Sequence, residues 1–165
     1  MTERPILFSG PMVRAILDGR KTQTRRVAKD RDKPCKYGIA GDRLWVRETW
    51  QSAAAMGVCH ASDDYFVYRA TDPDWETCEG WQWRPSIFMP RKASRITLEI
   101  TDVRAERLQD ITNKDARAEG LARGTVYPRM WFEDLWDSIN AKRGFGWDVN
   151  PFVWVITFKK VGSNV

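Results

Sequence analysis

Gly19-Arg20-Lys21-Thr22-Gln23-Thr24-Arg25-Arg26 follows an apolar, helix-like segment and sets the reading of the whole chain. Upstream, Pro11 occupies a tolerated first helical position, and Met12, Val13, Ile16 and Leu17 recur at helical spacing. This predicts a two-turn helix from Pro11 to Asp18, with Gly19 as its natural stop. Thr22 to Val27 has strand composition. Within this octet stand four cationic side chains and two threonine hydroxyls. Such a cluster suits two tasks: holding an anion, or placing an amine beside an alcohol.

Working outward, Pro5 to Phe8 reads as a short strand and Asp30 to Gly41 as a polar loop. Asp42 to Trp50 reads as a strand, with Leu44, Val46 and Glu48 on one face and Trp45 and Arg47 on the other. Ser94 to Asp102 alternates cleanly, with Ile96, Leu98 and Ile100 on one side, and predicts a half-buried strand. Thr112 with Asp115 resembles a helix-start capping box, opening a short helix that runs to Glu119 and stops at Gly120. Phe132, Leu135, Trp136 and Ile139 share one face of a predicted helix from Met130 to Lys142. Phe152 to Phe158 is apolar on both faces, as an interior strand should be. The order implies an α+β fold, a curved sheet or β-barrel flanked by short helices.

The length of 165 residues fits one domain spanning 1–165. Residues 51–92 differ in composition from the rest, being acidic, rich in Trp and interrupted by Pro73, Pro85 and Pro90. They read as an insertion, because about forty residues do not readily bury a core alone. Charge is unevenly spread over the net +5. Residues 1–50 carry 12 Lys and Arg against 6 Asp and Glu, whereas residues 51–90 carry 2 against 6. The basic end permits a polyanionic partner, and the acidic insertion offers a surface for a protein partner. Most of the nine Trp are expected in the core or at its edge.

Cys35, Cys59 and Cys78 with the single histidine His60 lack any Cys-x-x-Cys pair, so no metal site and no cofactor is expected. The odd cysteine count and the absence of an apolar leader or membrane-length run point to a cytoplasmic protein without membrane contact.

Gly19-x-Lys21-x-x-Thr24-x-Arg26 after a short helix resembles the signature of the ASCH family within the PUA-like superfamily. Gly41 to Glu48, Ile111 to Gly120 and Pro151 to Phe158 resemble that family's later elements. The phrasing at Pro85 to Arg91 and Asn150 to Val155 is similar to its phage and prophage branch. The resemblance implies a PUA-like β-barrel with a cleft for RNA or a modified nucleoside. Compact bacterial members are amidohydrolases that deacetylate 4-acetylcytidine with a lysine, a threonine and a glutamate. Matched by motif, these are Lys21, Thr24 and Glu119. Other members have been proposed to be ribonucleases, and non-catalytic RNA binding is a third reading.

For amide hydrolysis, a threonine hydroxyl needs a neighbour to take its proton, and a lysine does so only when neutral. Desolvation and nearby cations both favour the neutral amine. Arg20, Arg25 and Arg26 are the candidate cations, and with Trp45, Arg47 and Glu48 they are the candidate binding residues. A regular strand would send residues 21 and 24 to opposite faces, so the chain must bend between them for the two to meet. Glu48 is an alternative acid; if it faces inward it needs a partner, for which an arginine is the first choice.

Overall fold

The computed structural model describes residues 1–58 and 61–162. In chain order the main elements are β1 (Glu3–Leu7), α1 (Gly10–Leu17), β2 (Gln23–Val27), β3 (Arg43–Arg47), β4 (Trp50–Ser52), β5 (Phe66–Tyr68), β6 (Thr97–Arg107), α2 (Asn113–Ala118), α3 (Pro128–Asn140) and β7 (Phe152–Lys160). Five strands form one sheet in the order β1-β3-β6-β7-β2. Only β1 and β3 run parallel. As its pattern requires, β7 is an interior strand, paired on both sides.

The sheet curls until its two edges meet. No backbone ladder joins β1 to β2 among the described residues. Instead Arg26 Nη2 donates to the Leu7 carbonyl at 2.8 Å. Phe8, which ends the first strand segment, lies beneath the Arg26 guanidinium, 5.2 Å from ring centroid to carbon, and tilts against Phe158. An arginine side chain thus closes what would be an open edge of the barrel.

Two cores follow from the two faces of the sheet. Ile6, Leu44, Val46, Leu98, Ile100, Ile156 and Phe158 fill the concave side, with Val13 and Ile16 of α1 packed into it. Val153 and Val155 face the other way, against Ile111, Ala116, Phe132, Trp136 and Trp147 around α2 and α3. On β6 the register shifts between Ile100 and Asp102. This bulge exchanges the faces: Ile100 points to the concave core, and beyond the bulge so does Val103. Arg104 and Glu106 are therefore opposite Val155 and Val153, on the side of α2.

Several expectations need correction. The strand expected over Asp42–Trp50 is two strands in two sheets, because β3 ends at Arg47 and Trp50 pairs with Tyr68. The strand expected to end at Asp102 continues to Arg107; the bulge breaks the alternation that marked it. Ile139 is 54% exposed, and Asn140 is buried in its place. The Asn140 side chain donates to the Trp136 carbonyl and accepts from Arg143, so the last helical turn is closed by polar contacts. The capping pair at α2 forms as expected, the Thr112 hydroxyl accepting from the Asp115 N–H.

The insertion holds the β4–β5 pair and a small core of Trp50, Met89 and Ala93 with Phe66 and Tyr68. Trp75, Trp81 and Trp83 cluster, Trp75 tilted against Trp81 and Trp81 edge-on to Trp83, with centroids 4.8 and 5.5 Å apart. None of the nine Trp is exposed: four are buried and five half-buried. Cys35 is buried and Cys78 exposed, whereas Cys59 and His60 lie outside the described residues. No helix among the described residues is long and apolar enough to cross a membrane.

Candidate functional site

The chain after α1 is pinned in a bend. Gly19 takes φ +76°, the left-handed conformation that favours glycine. Arg20 and Lys21 both donate their backbone N–H to the Ala15 carbonyl. Lys21 then forms a single β-bridge with Glu119, and the Thr22 N–H donates to the Ala118 carbonyl. The Arg20 side chain secures the same junction, donating to the Gly120 carbonyl at 2.6 Å. Gly120 is essential to it. Its φ is +110°, and a Cβ there would lie 2.9 Å from Ala15 Cβ and 3.2 Å from Lys21 Cβ.

This bend brings Lys21 and Glu119 together in the interior. Their side chains are 2% and 4% exposed. Lys21 Nζ donates to Glu119 Oε2 at 2.9 Å, to the Glu119 carbonyl at 2.9 Å and to the Gln23 carbonyl at 2.8 Å. The ammonium also lies 5.5 Å from the Phe8 centroid. Burial pushes the Lys21 pKa down, Glu119 pulls it up, and Arg26 and Arg25 push it down again; the net direction is down.

Arg25 completes the site from the same face of β2. Its fully buried guanidinium donates to Glu119 Oε1 at 3.0 Å, to Gln23 Oε1 at 2.7 Å, to Glu106 Oε1 at 2.7 Å and to Asp115 Oδ2 at 3.3 Å. Arg104 joins Glu106 and Asp115 from the outside. The buried Lys21, Arg25 and Glu119 are thus extended outward by the half-buried Glu106, Asp115 and Arg104 into one charge network. Arg25 Nε is buried with no partner among the described residues.

Thr24 is 1% exposed and pairs with Ile156, which faces the concave core. Gln23 and Arg25, paired with Thr157 and Val155, are turned the other way, while Lys21 sits at the bend with its ammonium near Phe8. The bend at Thr22 and the length of the lysine stem reduce this separation. The Lys21 ammonium bonds the oxygen of the peptide that links Gln23 to Thr24. A hollow of about 490 Å³ opens beside the junction, lined by Asp18, Arg20, Ala122 and Arg123.

The remaining sequence candidates are placed elsewhere. Trp45 is 8% exposed, with the Arg47 guanidinium 4.7 Å and that of Arg91 5.9 Å from its ring. Two protein cations thus lie against that indole. Arg47 Nε donates to the Met89 carbonyl. Arg47 and Arg26 nevertheless flank the same residue, Leu7, at the meeting of the sheet edges. Glu48 is 1% exposed and forms a forked pair with Arg95, at 2.9 and 3.0 Å. Burial pushes its pKa up despite that partner. It joins the insertion to the barrel, since Arg95 also reaches Thr71.

Gln23, Arg104, Glu106 and Asp115 belong to the site without any motif that marks them for it. The capping position singles out Asp115, but nothing in the sequence announces the β6 bulge that turns Arg104 and Glu106 toward it.

No family model matches the sequence, and no curated protein matches it. Solved structures do. An ASCH domain from Lactobacillus crispatus JV V101 superposes with a TM-score of 0.54 at 11% identity, over 96% of this chain and 79% of that one. The fold is that of an ASCH domain. A DUF984-family protein from Enterococcus faecalis V583 shares it, with a TM-score of 0.53 at 12% identity, over 98% of this chain and 80% of the other.

Proposed function

We propose that this ASCH-fold protein hydrolyses the acyl-amide of an N4-acylated cytosine nucleoside, with Thr24 as nucleophile, Lys21 as its base and Glu119 positioning the lysine. The observation that carries the reading is the buried Lys21–Glu119 pair. A buried ion pair is a poor device for stability, because apolar residues of similar size commonly do as well or better. A desolvated lysine whose pKa is lowered, next to a carboxylate and one peptide from a hydroxyl, is the equipment of an activated nucleophile.

In this reaction the neutral Lys21 amine takes the Thr24 proton as Thr24 Oγ1 attacks the acyl carbon. The resulting ammonium returns that proton to the exocyclic nitrogen of cytosine as the C–N bond breaks. Water then hydrolyses the threonine ester, releasing the carboxylic acid. Glu119 holds the Lys21 amine in place, and Arg25 holds Glu119. The entry assigned in this reading is at Arg26, which spans the sheet edges through one exposed hydrogen bond to the Leu7 carbonyl and the face of Phe8.

A second reading, a non-catalytic nucleoside-binding module, is favoured by one detail. All three Lys21 N–H groups already have acceptors, an arrangement that suits a charged, structural ammonium. Kinetics with Lys21→Met and Thr24→Val separate the two. The hydrolase reading requires loss of turnover in both variants while nucleoside binding persists. Turnover retained in either variant refutes it.

A further inference from the structure

At the far end of β2 the structure holds a cationic surface that the hydrolase reading does not use. Phe152, the first residue of β7, lies between two guanidiniums: Arg31 is 3.5 Å and Arg107 3.9 Å from its centroid. Two groups that close to one centroid cannot share a face, so they sandwich the ring and stand about 7 Å apart. Lys29 lies 5.9 Å from the Phe145 ring and Arg129 5.8 Å from that of Trp147. Backbone and side-chain bonds tie these parts into one surface. The Ala28 N–H donates to the Phe152 carbonyl, Arg107 to the Asn150 carbonyl, Gln109 to the Trp147 carbonyl, and Arg129 to the Gln109 carbonyl.

Lys29, Arg31, Arg107 and Arg129 are all exposed, and none is ion-paired among the described residues. The neighbouring acids are engaged elsewhere: Asp30 with Lys33, and Glu106 with Arg25 and Arg104. Asp110 and Asp148, exposed in the flanking turns, pair with none of the four. The acidic insertion does not neutralise them either. It is anchored through Arg95, before the start of β6, whereas Arg107 ends that strand. Eleven residues of strand put roughly 30 Å between them.

We propose that this surface is a track for single-stranded nucleic acid, separate from the Lys21 site. Lys29 and Arg129 are free to neutralise phosphates. Arg31 and Arg107, held flat by Phe152, present their outer planes to unstacked bases. An acidic protein would find the charge but no use for the stacked planes. The track lies beyond the length of β2 from Lys21, about 13 Å of strand.

The test is fluorescence anisotropy with a labelled mixed-sequence RNA of roughly 20 nucleotides, longer than one such footprint, and its DNA counterpart, over a salt series. Two phosphate contacts to a single strand, from Lys29 and Arg129, give a slope of log K against log salt of about −1.4. In R31Q/R107Q, which loses the two stacking planes, binding is expected to weaken at least about tenfold with the slope little changed, whereas K29Q/R129Q is expected to lose most of the salt dependence. All four side chains are exposed, and circular dichroism checks the fold. The tighter of the two probes names the natural strand. Wild-type protein without salt-dependent binding up to about 10⁻⁴ M overturns the proposal. So does R31Q/R107Q binding as well as wild type, or capture of anionic lipid vesicles but neither oligonucleotide. Nucleoside turnover plays no part in this readout, so its outcome stands apart from that of the hydrolase assay.

Discussion

Replacing Glu119 by Gln keeps the shape of the side chain and removes its charge. Lys21 is then left without an anionic partner in a place that water hardly reaches. Removing one member of a buried ion pair costs about 3–5 kcal/mol. Lys21 relieves part of this by losing its proton, since Glu119 is the main group that raises its pKa against burial. The lower end, about 3 kcal/mol, is therefore expected. Lys21→Met is milder. Glu119 keeps its 3.0 Å bond to Arg25, and the methionine fills the space of the lysine stem, so the cost is about 1–2 kcal/mol. The double variant K21M/E119Q should cost clearly less than the sum, because the two groups are in contact. Urea unfolding followed by tryptophan fluorescence reads all three; for a chain of this size the E119Q loss corresponds to a Tm lower by roughly 6–12 °C. A Lys21→Met cost equal to or above that of E119Q, or strictly additive losses, refutes the idea that Glu119 is the hub of a coupled buried pair.

Gly120→Ala is expected to cost about 2–4 kcal/mol, combining a left-handed backbone with contact against Ala15 and Lys21, as checked by the same unfolding assay. Glu48 carries a pKa raised by burial, so its folded form favours the proton. Its contribution to stability is greatest below the ordinary glutamate value and is lost as pH rises through the raised one, and E48Q should flatten that part of a stability–pH curve. Lys21 has the opposite sense, a base with a lowered pKa. Deacylation should rise with pH at a midpoint below the ordinary lysine value of 10.5, and that midpoint should move lower still in E119Q wherever residual turnover is measurable.

Much of the barrel is legible in the sequence because alternation and helical spacing are read residue by residue. Ile96, Leu98 and Ile100 lie in the concave core, and Val13 and Ile16 pack into it, as their spacing requires. Thr112 caps α2 and Gly19 ends the first helical segment in the left-handed conformation. Lys21 and Glu119, 98 positions apart, can be paired only through the family resemblance, since no local pattern links them. Arg25 is legible as a cation, but its role as the anchor of Glu119 depends on Glu106 and Asp115, and the former reaches it only because of the bulge in β6. Trp45 is legible only in part for a related reason. Aromatic surface is readable from sequence, but the two arginines that lie against it come from Arg47 on its own strand and Arg91 near the end of the insertion.

The decisive measurement is chromatography of 4-acetylcytidine after incubation with the wild-type protein and with Lys21→Met. The account predicts that cytidine and acetate accumulate with the first and that the second, still folded, produces neither. Intact substrate after prolonged incubation with wild-type protein, or equal release by both, contradicts it.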